Sequence, residues 1–298
     1  MPSPTDFNLS PYYDDFSESK KFHRILFRPS FAVQARELTQ SQSILQNQVE
    51  NLSDHLFEKG AMVIPGEIGY NLFYYSVKLT SFTDSAAVGV TLNDFVGLRL
   101  TGATSGVTAK VIGVDAADGT DPNTLYVKYE NSGTNNTEVK FTHGETISVA
   151  TTLQSTSTTV SAVVTSCHTG AAAYVGAGVY YINGFHVDVA EQTIILDKYT
   201  NTPSYRVGLT VTESFVTPND DTSLNDNATG TSNVNAPGAH RFKIDLTLAK
   251  KTLTAVDDNN FVELLRLKNG IIQNQVRTTE YAVLEDTLAR RTFDESGD

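Results

Sequence analysis

From Phe31 to Leu56 apolar side chains recur in two interleaved series of seven. One holds Phe31, Leu38, Leu45 and Leu52; the other, four positions on, holds Ala35, Gln42, Val49 and Leu56. This is a heptad seam with one polar core position, Gln42. It predicts a helix over 29–60, with Ser30 as N-cap and Gly60 as C-cap. Such a helix is about 29 residues and roughly 43 Å long. A seam of this kind buries itself only against other helices, and no second helical pattern of comparable strength follows. It therefore predicts self-association through Phe31, Ala35, Leu38, Gln42, Leu45, Val49, Leu52 and Leu56, with Gln42 setting register and oligomer state at some cost in stability.

The rest of the chain reads as strand and turn. Residues 1–28 form an arm whose aromatic side chains, Tyr12, Tyr13, Phe16 and Phe22, need a surface to dock on, and Ser19–Arg28 reads as a short extended segment. Met62–Glu67 and Tyr70–Leu79 follow as strands. Residues 82–166 are rich in Thr, Gly and Val. A Gly-rich turn between Phe95–Leu100 and Val107–Val114 reads as a hairpin, and Leu125–Tyr129, Glu145–Val149 and 153–166 add strands. About six short strands predict a small β-barrel or sandwich. Beyond them, Asn183-Gly184 and Asn269-Gly270 mark hairpin turns. Phe242, Ile244, Leu246 and Leu248 alternate with polar residues as in a half-buried strand. Thr217–Pro237 is a long polar loop, and Tyr281, Leu284 and Leu288 suggest a short helix over 279–291.

The expected fold class is thus mainly β with one long N-terminal, coiled-coil-like α-helix, and with β-sandwich or barrel domains, one inserted in the other. The expected organisation is a docking arm at 1–28, an oligomerisation helix at 29–60, a main β domain at 61–81 and 167–298, and an inserted domain at 82–166.

Composition narrows the partners. The 298 residues carry a net charge of −12, which disfavours nucleic acid, since phosphate binding needs clustered Lys and Arg. It equally disfavours adsorption to anionic lipid. No apolar run approaches the roughly 20 residues of a membrane span. The opening residues lack a basic stretch followed by an apolar one, so no signal peptide is expected. Cys167 is alone and cannot form an internal disulfide.

Candidate chemistry is sparse. His23, His55, His143, His168, His186 and His240 are scattered, and Cys167-His168 is poor chelating geometry. Asn219–Asn227 offers hard oxygen ligands without the order of a calcium loop. The pairs Asp14/Asp15 and Asp220/Asp221 are adjacent, whereas glycoside cleavage needs two carboxyls across a sugar. No nucleophile elbow, phosphate-binding Gly loop or His-Glu-x-x-His is present. No catalytic residue, cofactor or metal is expected, and the protein is read as a non-enzyme. A depolymerase would show a fixed-period repeat, and none is seen.

Several stretches together resemble a family of tailed-bacteriophage virion proteins of the baseplate and tail-fibre region, found in large contractile-tailed phages and cyanophages. They are Tyr12–Phe16, Phe22–Pro29, Ala32–Gln40, Ile44–Gln48, Gly184–Val189, Gln192–Asp197, Ala236–Arg241 and Leu288–Asp298. Most of 82–166 lies outside them and reads as a variable insertion. The resemblance implies a structural role with no catalytic residues, and a family pattern that runs on past the last motif, so that the chain is expected to be a fragment or the N-terminal part of a longer fibre. The resulting expectation is a structural protein of a phage tail, baseplate-associated or anchoring a tail fibre, a homotrimer through 30–59. Its partners would be other baseplate and tail proteins, and its place the virion, assembled in the host cytoplasm. The alternative is a module for host attachment that binds a host-surface receptor or glycan through residues 82–166.

Overall fold

The computed structural model describes residues 5–82, 90–134, 136–153, 156–230, 232–255, 260–276 and 282–297. The protein is mainly β, with 44 % strand against 16 % helix. Fourteen strands are described, all paired antiparallel. They are β1 (Met62–Ile64), β2 (Ile68–Phe82), β3 (Arg99–Gly102), β4 (Thr108–Asp115), β5 (Thr124–Asn131), β6 (Thr146–Leu153) and β7 (Thr156–Val175), then β8 (Gly178–Ile182), β9 (Phe185–Val189), β10 (Gln192–Asp197), β11 (Tyr205–Val216), β12 (Arg241–Thr252), β13 (Phe261–Lys268) and β14 (Ile271–Gln275). The helices are α1 (Ala35–Asp54) and α2 (Ala282–Ser296).

Three sheets result. The largest runs β10-β7-β2-β5-β4-β3-β6, and a further pairing of β6 with β7 brings the ladder back on itself. Strands β7, β2, β5, β4, β3 and β6 thus form a closed circuit with no free edge of its own. A second sheet is β1-β8-β9 and a third β12-β11-β13-β14.

Two apolar cores follow from period-2 patterning. Inside the circuit, Val77 and Leu79, Val107, Ala109 and Val111, Leu125 and Val127, and Val160, Ala162 and Val164 all point inward and are buried. The other core joins the remaining sheets and includes Ala171, Ala173, Val175, Val207, Leu209, Val211, Leu246 and Leu248. Strand β7 serves both cores, and its inward positions change from even to odd numbers between Val164 and Ala171. Strand β2 does the same between Ile68 and Val77. Register shifts at Asn71/Tyr74, Lys78/Leu79 and Leu79/Ser81 accompany the change, because an extra residue in one strand turns the following side chains to the other face. Gly170 sits at this waist. A Cβ there would lie 2.6 Å from the Lys198 carbonyl oxygen and 2.7 Å from that of Asp197.

The proposed boundaries at 82 and 166 therefore fall at the end of β2 and in the interior of β7, and the circuit also uses residues on either side of them. Both Asn-Gly turns appear as expected. Asn183 and Gly184 have φ of 49° and 87°, and Asn269 and Gly270 have 51° and 76°, the left-handed pair that a two-residue hairpin requires. Within the circuit, buried Glu145 accepts hydrogen bonds from the backbone N–H groups of Thr104 (3.1 Å), Ser105 (2.9 Å) and Thr142 (2.6 Å). Burial alone raises its pKa, but these donors together outweigh it and hold the carboxyl below the ordinary range.

The long helix is corrected. It spans 20 residues, Ala35–Asp54, not 29–60. Ser30 is no cap; its φ of 67° places it in a tight turn with Pro29. Gln34 is the N-cap, and its N–H donates to the Glu37 carboxylate at 2.9 Å. At the other end Phe57 leaves the helical path to pack on Tyr181 and His186. Phe22–Arg28 pairs with no strand. The second expected helix exists but is shifted to 282–296, and Thr279 and Tyr281 lie outside the described residues.

Candidate functional site

The N-terminal arm begins by docking on its own chain. Phe7 inserts among Phe215 (6.0 Å between ring centroids) and Phe242 (5.0 Å), which face each other across the β11–β12 ladder. Tyr12 stacks on Phe215 at 5.1 Å, and its hydroxyl bonds His240 Nδ1 at 2.8 Å. Thr5 bonds the Glu213 carboxylate. Residues 14–20 then reach α1. Buried Asp14 accepts from the Ser43 hydroxyl and, at 3.1 Å, from the Phe16 N–H. Asp15 pairs with Lys20 at 3.0 Å and accepts from Gln40 Nε2 at 3.1 Å. The Lys20 ammonium holds the Asp15 carboxyl below its usual range. Phe16 lines a cavity of about 170 Å³ with Phe22, His23, Ile44, Asn47 and Gln48.

The β body holds the next stretch of the α1 circumference. Gln46 Nε2 donates to the Gly184 carbonyl at 2.6 Å, and the Tyr181 hydroxyl donates to Asp54 Oδ1 at 2.7 Å. Burial, then the like charges of Asp54 and Glu18, raise the pKa of Glu50 beside them. Arm and body thus grip two adjoining stretches of the helix, and Ile44 is its one buried apolar residue.

The third face is bare, and it is the heptad seam. Leu45 and Leu52 are 67 % and 66 % exposed, Leu38 54 % and Val49 46 %. Ala35 and Gln42 are exposed with them. On the helix these six residues form a stripe about 100° wide and about 26 Å long. The flanking positions are Thr39, Ser41, Gln46, Gln48 and Ser53, none of them charged, so a packed partner would meet no charge barrier. Of the expected seam, Phe31 lies before the helix, 63 % exposed. Leu56 lies after it and packs against the small cluster of Phe57, Ala61 and Tyr181.

The expected arm residues separate. Tyr12 and Phe16 are taken up within the chain, whereas Tyr13 and Phe22 remain exposed. Sequence reasoning missed Phe7, and it read Asp14 only as half of an adjacent carboxylate pair, although both help to fasten the arm. It also missed Leu26, Phe27 and Val33, which are exposed in the segment that leads into α1. The unbroken run Ile25-Leu26-Phe27 was the available signal, since it follows neither a helical nor a strand period.

Candidate chemical groups are placed apart. Cys167 is half-buried, with burial raising its thiol pKa. Asp220 and Asp221 accept from the N–H groups of Thr217 (3.0 Å) and Ser223 (2.9 Å), which makes them turn-capping groups of the polar loop. Among the described residues, no three of His, Cys, Asp and Glu are grouped to hold a metal ion, and no helix is long and apolar enough to cross a membrane.

A family model described as a domain of unknown function (DUF4815) matches residues 10–71 and 133–298. The unmatched stretch between them contains β3, β4 and β5. No curated protein and no solved structure matches the chain.

Proposed function

The chain belongs to the DUF4815 family, and we propose that it is a non-enzymatic structural protein that assembles as a homotrimer through the seam of α1. The observation that carries this reading is the bare apolar stripe from Ala35 to Leu52, on a helix whose remaining faces are gripped by its own chain. Monomers rarely leave so regular an apolar surface to water. A closed ring of three identical seams leaves none of them unpaired. The closed strand circuit reads as a small barrel, and the remaining sheets as a sandwich that braces it.

The proposed setting is a phage tail, at the baseplate or the root of a tail fibre. Its support is the sequence resemblance carried by Tyr12–Phe16, Phe22–Pro29 and Ala32–Gln40, the same residues that build the arm and seam. Light scattering of the purified chain should give three times the 32.4 kDa of one copy, and Leu45→Asp should give one. A trimeric mass for the variant would overturn the seam reading. Gold-labelled antibody to the chain should decorate the tails of purified phage particles, and bare tails would overturn the setting.

A second reading, glycan binding on residues 82–166, is favoured by one aromatic group at their edge, where Thr124 meets Lys78, His168 and Tyr199 from outside that segment. Lys78 Nζ lies 3.7 Å over the Tyr199 ring, the His168 ring is 5.2 Å away, and the Tyr199 hydroxyl meets Thr124 Oγ1 at 2.9 Å. On a glycan array, Tyr199→Ala should lose any signal that the wild type gives. A blank array for the wild type removes this reading.

A further inference from the structure

The segment between the docked arm and α1 has its own character. Residues 21–33 read Lys-Phe-His-Arg-Ile-Leu-Phe-Arg-Pro-Ser-Phe-Ala-Val, with three fixed cations and no acid in a chain of net charge −12. Phe22, Leu26, Phe27, Phe31 and Val33 are all more than half exposed, Leu26 by 75 %. Both ends of the segment are held. Phe22 and His23 sit beside Asn47 and Gln48 of α1 at the cavity, and Gln34 caps the start of the same helix. The distance to be covered is about 20 Å along the helix, whereas twelve residues reach about 40 Å when extended. The strap is therefore slack, is tied at both ends to the helix that carries the bare seam, and leaves five apolar side chains more than half exposed.

We propose that this strap is the second half of the subunit interface, and that in the oligomer it packs on a neighbouring copy of the chain. The proposal rests on the α1 reading. Two observations name a second copy as the occupant. The first is area: only 46–67 % of each of Leu38, Leu45, Val49 and Leu52 remains to be buried, a small surface to set against the cost of association. The strap adds Phe22, Leu26, Phe27, Phe31 and Val33, each more than half exposed, to the apolar surface a second copy could cover. The second is charge. A cationic, acid-free strap is complementary to the acidic remainder of an identical chain, and complementarity of that kind selects partner and register.

Limited trypsin digestion tests this on the intact chain. Trypsin cuts after Lys21 and Arg24, while Pro29 shields the bond after Arg28. In the wild-type oligomer these cuts should be at least about tenfold slower than in the monomeric Leu45→Asp variant. The double variant Leu26→Ser/Phe27→Ser should raise the oligomer dissociation constant at least about tenfold and leave thermal unfolding of the separated chain unchanged. An oligomer whose strap is cut at the monomer rate, or whose affinity ignores the double variant, overturns the strap and leaves the α1 seam standing. Absence of any oligomer overturns both. Protection that appears only with phosphatidylserine-containing vesicles assigns the strap to a lipid surface and overturns the proposal.

Discussion

The closed strand circuit and the N-terminal helix solve the same problem in opposite ways. In the circuit, side chains at alternate positions find partners across the ring, and Leu100, Val107, Val111 and Leu125 have no exposed surface at all. On α1, an equally regular apolar repeat is left in water over its whole length. The difference is one of geometry rather than hydrophobicity. A strand ladder can return to its first member within one chain, as β6 does to β7, whereas a heptad stripe needs a second helix of similar length, and among the described residues α2 does not pack there.

Matched substitutions sharpen that contrast most. Leu125→Asp puts an unpaired charge in the circuit core and should cost about 3–5 kcal/mol, a large share of a typical domain's stability, read as a lowered melting temperature. Leu45→Asp should leave the circular-dichroism melt of the separated chain unchanged while abolishing the oligomer. If both variants merely unfold, the α1 seam belongs to the chain's own core and the contrast fails. Smaller is the effect of Glu145→Gln, whose amide would turn its NH₂ toward N–H donors now facing a carboxylate. A loss of about 2 kcal/mol is expected in a denaturant titration near neutral pH. Because the Glu145 pKa is depressed in the folded state, its contribution is fully present above the unfolded value of 4.5 and lost as pH falls through the folded one. The gap between wild type and variant should therefore close below pH 4.5, and a constant gap would contradict the assignment. Smallest is Gln42→Leu, which should tighten the oligomer by about 1 kcal/mol and broaden its mass distribution as register is relaxed.

Local chemistry explains what could be read from the chain. The two Asn-Gly hairpins and the alternation of β12 are decided within a few residues, by φ and by the pleat, and both stand in the structure. The bare seam was likewise legible because its period is internal to one helix. The helix ends were not. Ser30 is a good cap by type, but the turn at Pro29 and the pairing of Gln34 with Glu37 move the start to Ala35. The pull of Tyr181 and His186 on Phe57 ends the helix early, and those rings are more than 120 residues away. The double duty of β2 and β7 was hidden for a similar reason. Their runs look like ordinary strands, and only the register shifts against each other reveal that each faces two cores. Phe7, one aromatic residue in a polar stretch, carries no periodic signal, and its partners are set by the β11–β12 register.

The β2–β7 ladder has a mechanical consequence. It pairs Ile68 with Val175 at one end and Phe82 with Ala162 at the other, so two strands run unbroken through both cores. A force applied between the circuit and the sheets below it runs along these strands. It must shear many hydrogen bonds together, and there is no linker at which they would unzip one at a time. The ribbon also sets the order of assembly. Neither core is complete until segments at least 80 positions apart have met, which makes folding slow. Once formed, the two cores should yield as a single unit, so that a tug on either is borne by both.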